Sequence, residues 1–307
     1  MHNKTLSFSN FVMLSEGGAA IKISRRIRED EFAGTLDSIQ NILLPIIGIN
    51  PDIKSDEYIV IGSIGKKKNP EDTSGDLDIG LDSTLFNVPF KEVSTYVYSM
   101  IESSDDLESK LGFKPEINHL KGLNIVSIGW PINGDQSNGI VQLDLIPVAD
   151  IDWAKFIYYS PDYKVSESKY KSAHRNWLLA AILAVRRRVL DVNDSGEIMD
   201  YDSPVLILSD GLYWHTKSYR GKLKPRLKNA SKVSGSERFV TRDPQEFIDF
   251  SLGRGYTTND VKTFEKLYQI ISSPNFELYD KLNEIEEKFL EYITRANLER
   301  PSEIKQA

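Results

Sequence analysis

The feature that most constrains this chain is a regular alternation of carboxylate and aliphatic residues, Gly75-Asp76-Leu77-Asp78-Ile79-Gly80-Leu81, answered downstream by Gln142-Leu143-Asp144-Leu145-Ile146. Successive side chains of a β-strand point to opposite faces. As strands, these segments put Asp76 and Asp78 on one face and Leu77, Ile79 and Leu81 on the other. Asp144 has the same parity against Leu143 and Leu145. A sheet that buries the aliphatic set gathers the three carboxylates on its opposite face. Like charges brought together repel, and a divalent cation that prefers oxygen ligands makes the arrangement tolerable. Asp76, Asp78 and Asp144 are therefore the candidate metal ligands and the candidate catalytic residues. The competing reading of Asp76 and Asp78, an acidic edge strand or a turn bent at Gly75, leaves the matching downstream aspartate unexplained. Asp82 shares the parity but stands at the strand end and is expected to cap the next turn.

The flanking sequence supplies the elements such a sheet needs. Residues 58–62 are nearly all apolar, as in a central buried strand. Residues 123–132 and 140–148 read as strands joined by the turn-rich segment 133–139, a hairpin that delivers Asp144 to the sheet. Phe32, Leu36, Ile39, Leu43 and Ile46 recur at helical spacing over 28–47 and stop at Gly48. A second helix is expected over 88–111, with Val93, Val97, Met100 and Ile101 inward. Beyond residue 150 the pattern turns helical: 166–190, closed by Arg186-Arg187-Arg188, and a tail over 256–295 split at Pro274. The end from about Glu299 is expected to be disordered.

Gly62-Ser63, Asp76-x-Asp78 and Asp144, in that order and in strand-like contexts over roughly residues 58–148, resemble the DNA polymerase β-like nucleotidyltransferase superfamily. The resemblance implies an α/β (α+β) fold, a nucleotidyltransferase-type mixed β-sheet with packing helices. It divides the chain into an N-terminal helical arm (1–50), a catalytic core (51–150) and a mostly helical C-terminal domain (151–307). It also implies Mg²⁺, two ions with Mn²⁺ as a possible substitute: Asp76 and Asp78 would hold both, and Asp144 the catalytic one. Gly62 and Ser63 would cradle the phosphates of a nucleoside triphosphate, ATP first, and a nucleoside monophosphate would pass to a hydroxyl acceptor with release of pyrophosphate.

In the same family the helix after the third aspartate lends a side chain to the nucleotide; Lys169, Tyr170, Lys171 and Ser172 occupy that neighbourhood with no motif to choose among them, and Lys171 is taken as the candidate against ordinary helix surface. Lys66, Lys67 and Lys68, between the motifs, either neutralise the leaving pyrophosphate or form a solvated basic turn. The most basic stretch, 217–232, flanked by Tyr213, Trp214 and Tyr219, makes 213–236 either an acceptor-binding loop that favours RNA or another nucleic acid, or a solvated excursion. The branch of the family stays open: a toxin-type or cyclic-oligonucleotide-forming enzyme fits the same motifs. A catalytically silent module of this fold, binding nucleic acid or a protein partner, is the alternative from another class.

Bulk properties narrow the classes. The 307 residues suffice for about two domains, and the net charge of −7 disfavours nonspecific coating of nucleic acid while allowing a local basic patch. With no cysteine there is no disulfide framework or thiolate metal site, which fits a reducing, cytoplasmic setting. The four histidines show no ligand spacing, so zinc is disfavoured and each reads as structural. No apolar run approaches the roughly 20 residues of a membrane span, and residues 1–15 lack the pattern of a secretory leader.

Overall fold

The computed structural model describes residues 20–50, 58–62, 71–158, 170, 172–186, 188–192, 198–218 and 237–304. The chain divides into two compact units, Met1–Ser166 and Glu167–Ala307. It is a mixed α/β protein, with the candidate carboxylates in the first unit.

The first unit runs β1 (Ile27–Arg28), α1 (Glu29–Ser38), a π-helical turn (Ile39–Leu43), α2 (Leu44–Ile46), β2 (Tyr58–Ile61), β3 (Thr73–Ser74) and β4 (Asp76–Asp82). It continues with α3 (Val93–Glu102), α4 (Asp105–Leu111), β5 (Ile117–Leu120), β6 (Ile125–Pro131), β7 (Ile140–Val148) and α5 (Ile151–Tyr158). Five strands form one sheet in the order β2-β4-β7-β6-β5. Only the β4–β7 pair is parallel; β2–β4, β6–β7 and β5–β6 are antiparallel. The parallel pair holds the alternating motifs, and the antiparallel β6–β7 hairpin delivers Asp144 as the sequence led us to expect.

Parity decides the two faces. Leu77, Ile79, Leu81, Val126, Ile128, Trp130, Leu143 and Leu145 share the larger core with Ile39, Leu43 and Leu44 of the first helical segment and Val93, Val97 and Ile101 of α3. Residues 28–47, expected as a helix in an N-terminal arm, thus contribute directly to the core behind the five-stranded sheet. On the opposite face a smaller cluster, Ile61, Ile125, Ile146, Val148, Ile151 and Ala154, is covered by α5. The larger core anchors the sheet.

Several expectations change in the structure. The strand 58–61 is an edge strand, paired with β4 alone, with Ile59 and Val60 half-buried. The helix expected over 88–111 is two, since Ser104 Oγ accepts from Leu107 N (3.2 Å) and starts α4 anew, and Gly112 in the left-handed region ends it. Asp82 does cap the turn after β4, accepting from Thr84 N at 2.8 Å.

The second unit contains α6 (Ser172–Val185), β8 (Arg188–Val192), β9 (Ile198–Ile207), β10 (Gly211–Ser218), β11 (Glu237–Thr241), α7 (Pro244–Leu252), α8 (Phe264–Ile271) and α9 (Leu282–Arg295). A four-stranded antiparallel sheet, β11-β10-β9-β8, stands beside the helices of this unit. The arginine run does not close a helix that reaches residue 190. The helix stops at Val185, Arg186 turns away to donate to Ser251 O (3.0 Å) and Glu277 Oε2 (3.0 Å), and the Val-rich segment beyond it pairs with β9. The tail helices form as anticipated around Phe264, Leu267, Ile285, Phe289 and Ile293. The segment from Glu299 to residue 304, expected to be disordered, is ordered: Ile304 is buried and Arg300 donates to its carbonyl at 3.1–3.2 Å.

The stretch before α1 is pinned to the first unit. Glu31, nearly buried, accepts from Arg25 through both oxygens (2.6 and 3.0 Å) and from Arg28 N at 2.9 Å. Arg25 also donates to Asn138 O, and Arg26 to Thr73, so both arginines brace the fold and neither lies free in solvent. The Arg25 guanidinium holds the Glu31 carboxyl below the usual carboxylate range. A depressed carboxyl stabilises the fold above its unfolded pKa and ceases to do so as pH falls through its folded value. Glu31→Gln should therefore lose about 1.5–3 kcal/mol near neutrality, and the gap to the native chain should close on acidification below the glutamate range. Urea denaturation of both proteins across pH checks this; a gap independent of pH would contradict it.

Candidate metal centre

The cluster is built by strand pairing. In the parallel β4–β7 register Asp76 lies opposite Gln142 and Asp78 opposite Asp144. On the outer sides Ile61 pairs with Asp78 and Ser127 with Asp144. One ligand oxygen from each of Asp76, Asp78 and Asp144 comes within 4.8 Å of the others. Among the described residues this is the group of three acidic or imidazole side chains placed to hold a metal ion.

The three are not equivalent. Asp76 and Asp78 are half-buried, whereas Asp144 is 7% exposed. Burial pushes the Asp144 carboxyl up from its ordinary range. Two neighbours oppose that shift: the hydroxyl of Ser127, its cross-strand partner, and the Gln142 amide, whose Nε2 donates to Oδ1 (3.1 Å) and Oδ2 (3.0 Å). Two carboxylates at about this separation repel by some 3 kcal/mol at an effective dielectric of about 20. That exceeds what a surface ion pair contributes, about 0–1 kcal/mol. A small hard cation turns the same proximity into attraction, and a donor set of carboxylate oxygens without sulfur or imidazole matches such an ion.

Gly62 closes one side. Its φ is +83°, in the region that favours glycine, and a Cβ built on it would lie 2.1 Å from Asp78 Oδ2. Strand β2 thus carries a residue without a side chain up against the Asp78 carboxylate. The other nucleotide-binding candidates, Ser63, Lys66, Lys67 and Lys171, lie outside the described residues, as does Lys68. Tyr170, beside Lys171, hydrogen-bonds Ser302 and Glu303.

Two site residues escaped the sequence reading. Tyr158, at the end of α5, is close enough to Asp78 for the carboxylate charge to add to the effect of burial, and the two together push its phenol well above the ordinary range. Nothing in the sequence signals this, because only the packing of α5 brings it there. Gln142 did carry a signal: it is a polar residue two positions before Asp144, on the same face of a strand whose every residue is buried.

Elsewhere the aromatics flanking the basic stretch are engaged in packing. Tyr213 Oη donates to Asp210 at 2.5 Å, its ring meets Phe239 edge-on, and Trp214 meets Phe250 edge-on. Lys217 pairs through its backbone with Tyr201 in β10, while 219–236 lie outside the described residues. His119 stacks on Tyr98 and bonds Ser94 Oγ at 3.0 Å, and His174 bonds Glu299 O at 2.8 Å; both are structural. No helix among the described residues is long and apolar enough to cross a membrane.

The cluster can be probed from its edge and from its centre. Gly62→Ala should displace Asp78 and weaken divalent-ion binding, as read by titration calorimetry; unchanged affinity would show that Asp78 is not a ligand. A divalent cation at about a hundred times its Kd should stabilise the native chain by about 2.7 kcal/mol and leave Asp144→Asn nearly unshifted in thermal melts. No family model, curated protein or solved structure matches this chain, so the reading of the cluster rests on its own chemistry and on the motif resemblance.

Proposed function

We propose that this chain is a magnesium-dependent nucleotidyltransferase that moves a nucleoside monophosphate from a nucleoside triphosphate, ATP foremost, to a hydroxyl acceptor such as RNA. The observation that carries the reading is the in-register pairing of Asp78 with Asp144, with Asp76 two residues along the same face. In the reaction the acceptor oxygen bonds to the α-phosphorus, the bond from that phosphorus to the bridging oxygen breaks, and pyrophosphate leaves. Bound magnesium would offset the charge that grows on the attacking and leaving oxygens. Asp76 and Asp78 would hold both ions and Asp144 one.

The chain's own groups supply the rest. Asp144 offers a buried carboxylate oxygen able to accept the proton of the attacking hydroxyl. Gly62, having no side chain, lets Asp78 Oδ2 lie against its backbone, and the motif resemblance gives it a place beside the phosphates. The larger core behind Leu77, Ile79, Leu143 and Leu145 keeps both aspartate strands rigid, which is what in-line displacement demands of its positioning groups. Ser63, Lys66 and Lys67 belong to the proposed phosphate contacts, and Lys171 to the nucleotide contacts, on the strength of the motif resemblance.

The test is incubation with each α-labelled nucleoside triphosphate and Mg²⁺, with and without cellular RNA, followed by asking what becomes labelled. Asp78→Ala and Asp144→Ala should each lower incorporation at least a hundredfold, since outer-shell partners of a metal alone are worth about 10–100-fold, with the circular dichroism of the native fold retained. Full activity in either variant would refute the reading. Absence of ATP–Mg²⁺ binding by calorimetry, combined with salt-sensitive binding of nucleic acid, would instead identify a silent module of the same architecture.

A further inference from the structure

Gln142 occupies an unusual position for a carboxamide. It is 3% exposed on a strand buried along its whole length, where an aliphatic residue would pack without any polar atom to satisfy. Both ends of its side chain are nevertheless committed. Oε1 accepts from two consecutive backbone amides, Ala20 N at 2.9 Å and Ile21 N at 3.1 Å. An amide oxygen that takes two N–H donors leaves only one orientation for the group, with the NH₂ turned the opposite way. There Nε2 meets Asp144 Oδ1 at 3.1 Å and Oδ2 at 3.0 Å.

The donors on Oε1 belong to a segment that is itself fastened. Ile21 is buried beside Gly129, where a Cβ would lie 3.3 Å from Ile21 Cγ2. Ser24 bridges to Ile140 in parallel, Arg25 N donates to Ile140 O at 2.7 Å, and the Arg25 guanidinium grips Glu31 and Asn138 O. Further on, Ile27 and Arg28 pair with Ser74 and Thr73, immediately before Asp76. One strap, residues 20–28, therefore touches the approach to Asp76 and, through a single glutamine, the carboxylate of Asp144.

We propose that Gln142 is a positioning residue for the metal centre: its amide, locked by the Ala20 and Ile21 N–H groups, fixes the plane of the Asp144 carboxylate so that its remaining lone pairs face Asp76 and Asp78. The proposal rests on reading the three aspartates as a metal centre and adds the outer partner that orients the most buried of them. A metal-ligating carboxylate needs such a hydrogen-bonded partner to hold its geometry, and losing it costs about tenfold to a hundredfold in metal affinity. The strap becomes part of the site without supplying a ligand.

The experiment measures Mn²⁺ affinity of the full chain by electron paramagnetic resonance of the free ion, for the native protein, Asp144→Asn, Gln142→Met and Ala20→Pro, at a temperature well below each unfolding midpoint. Methionine keeps the length and apolar bulk of the glutamine while removing both hydrogen-bonding ends, and proline removes one of the two N–H donors without touching the glutamine. The expected result is an affinity about tenfold weaker in Gln142→Met, with a smaller loss of the same direction in Ala20→Pro. A merely structural glutamine would lower the melting temperature and leave the Mn²⁺ affinity of the folded protein where it was. Native affinity in folded Gln142→Met overturns the proposal, and if that variant does not fold, native affinity in Ala20→Pro does so. Should Asp144→Asn lose the ion while the glutamine variant keeps it, only this inference falls; should the native chain bind no Mn²⁺, the metal reading falls and takes this inference with it.

Discussion

The parallel pairing of β4 with β7 is the constraint on which the rest of the first unit depends. Because side chains alternate along a strand, the pairing that buries Leu77, Ile79 and Leu81 against Leu143 and Leu145 also sets Asp78 beside Asp144 on the other face. A slip of one residue would send Asp144 into the core and the leucines out, so the aliphatic face fixes the register of the carboxylates. The energies run in that order. Each fully buried Leu or Ile contributes about 1.5–3 kcal/mol, and several of them together outweigh the mutual repulsion of the aspartates. The carboxylates are held by a core that does not need them.

Around that pair the structure adds layers of decreasing regularity. The antiparallel β6–β7 hairpin and the edge strand β2 bring Ser127 and Gly62 to the flanks of the cluster. The helix α5 roofs part of the same face with Ile151 and Ala154, and brings Tyr158 near Asp78. The strap before α1 has almost no regular structure, yet it is tied at Glu31, Thr73, Ile140 and Gln142. Its arginines brace the fold through carboxylate and carbonyl contacts, which accounts for a charged segment beside an acidic site.

The second unit is organised differently. Its α6, α8 and α9 helices build an aromatic cluster, in which Phe264 contacts Tyr170, His174, Tyr268 and Phe289. Tyr213 and Trp214, which composition alone would offer as stacking platforms for bases, meet Phe239 and Phe250 instead. Interleaved cations and aromatics are thus compatible with ordinary packing at the root of the basic segment.

Short-range alternation was enough to place the three aspartates, the aliphatic face behind them and the hairpin that delivers the last of them, because the period of a strand is a local property. The same holds for the helical stripes of α1, α3, α8 and α9 and for the cap at Asp82. What the sequence could not contain is partnership at long range. That β2 lies at an edge, that residues 188–190 are strand where helix was expected, and that residues 299–304 are ordered all depend on which surfaces meet. Gln142 could be seen to share a face with Asp144, but that its oxygen is held by Ala20 and Ile21, more than a hundred residues away, is a fact of the folded chain. The residues by themselves determined which carboxylates share a face; tertiary structure alone decided what is hydrogen-bonded around them, because partners so distant in sequence leave no periodic trace.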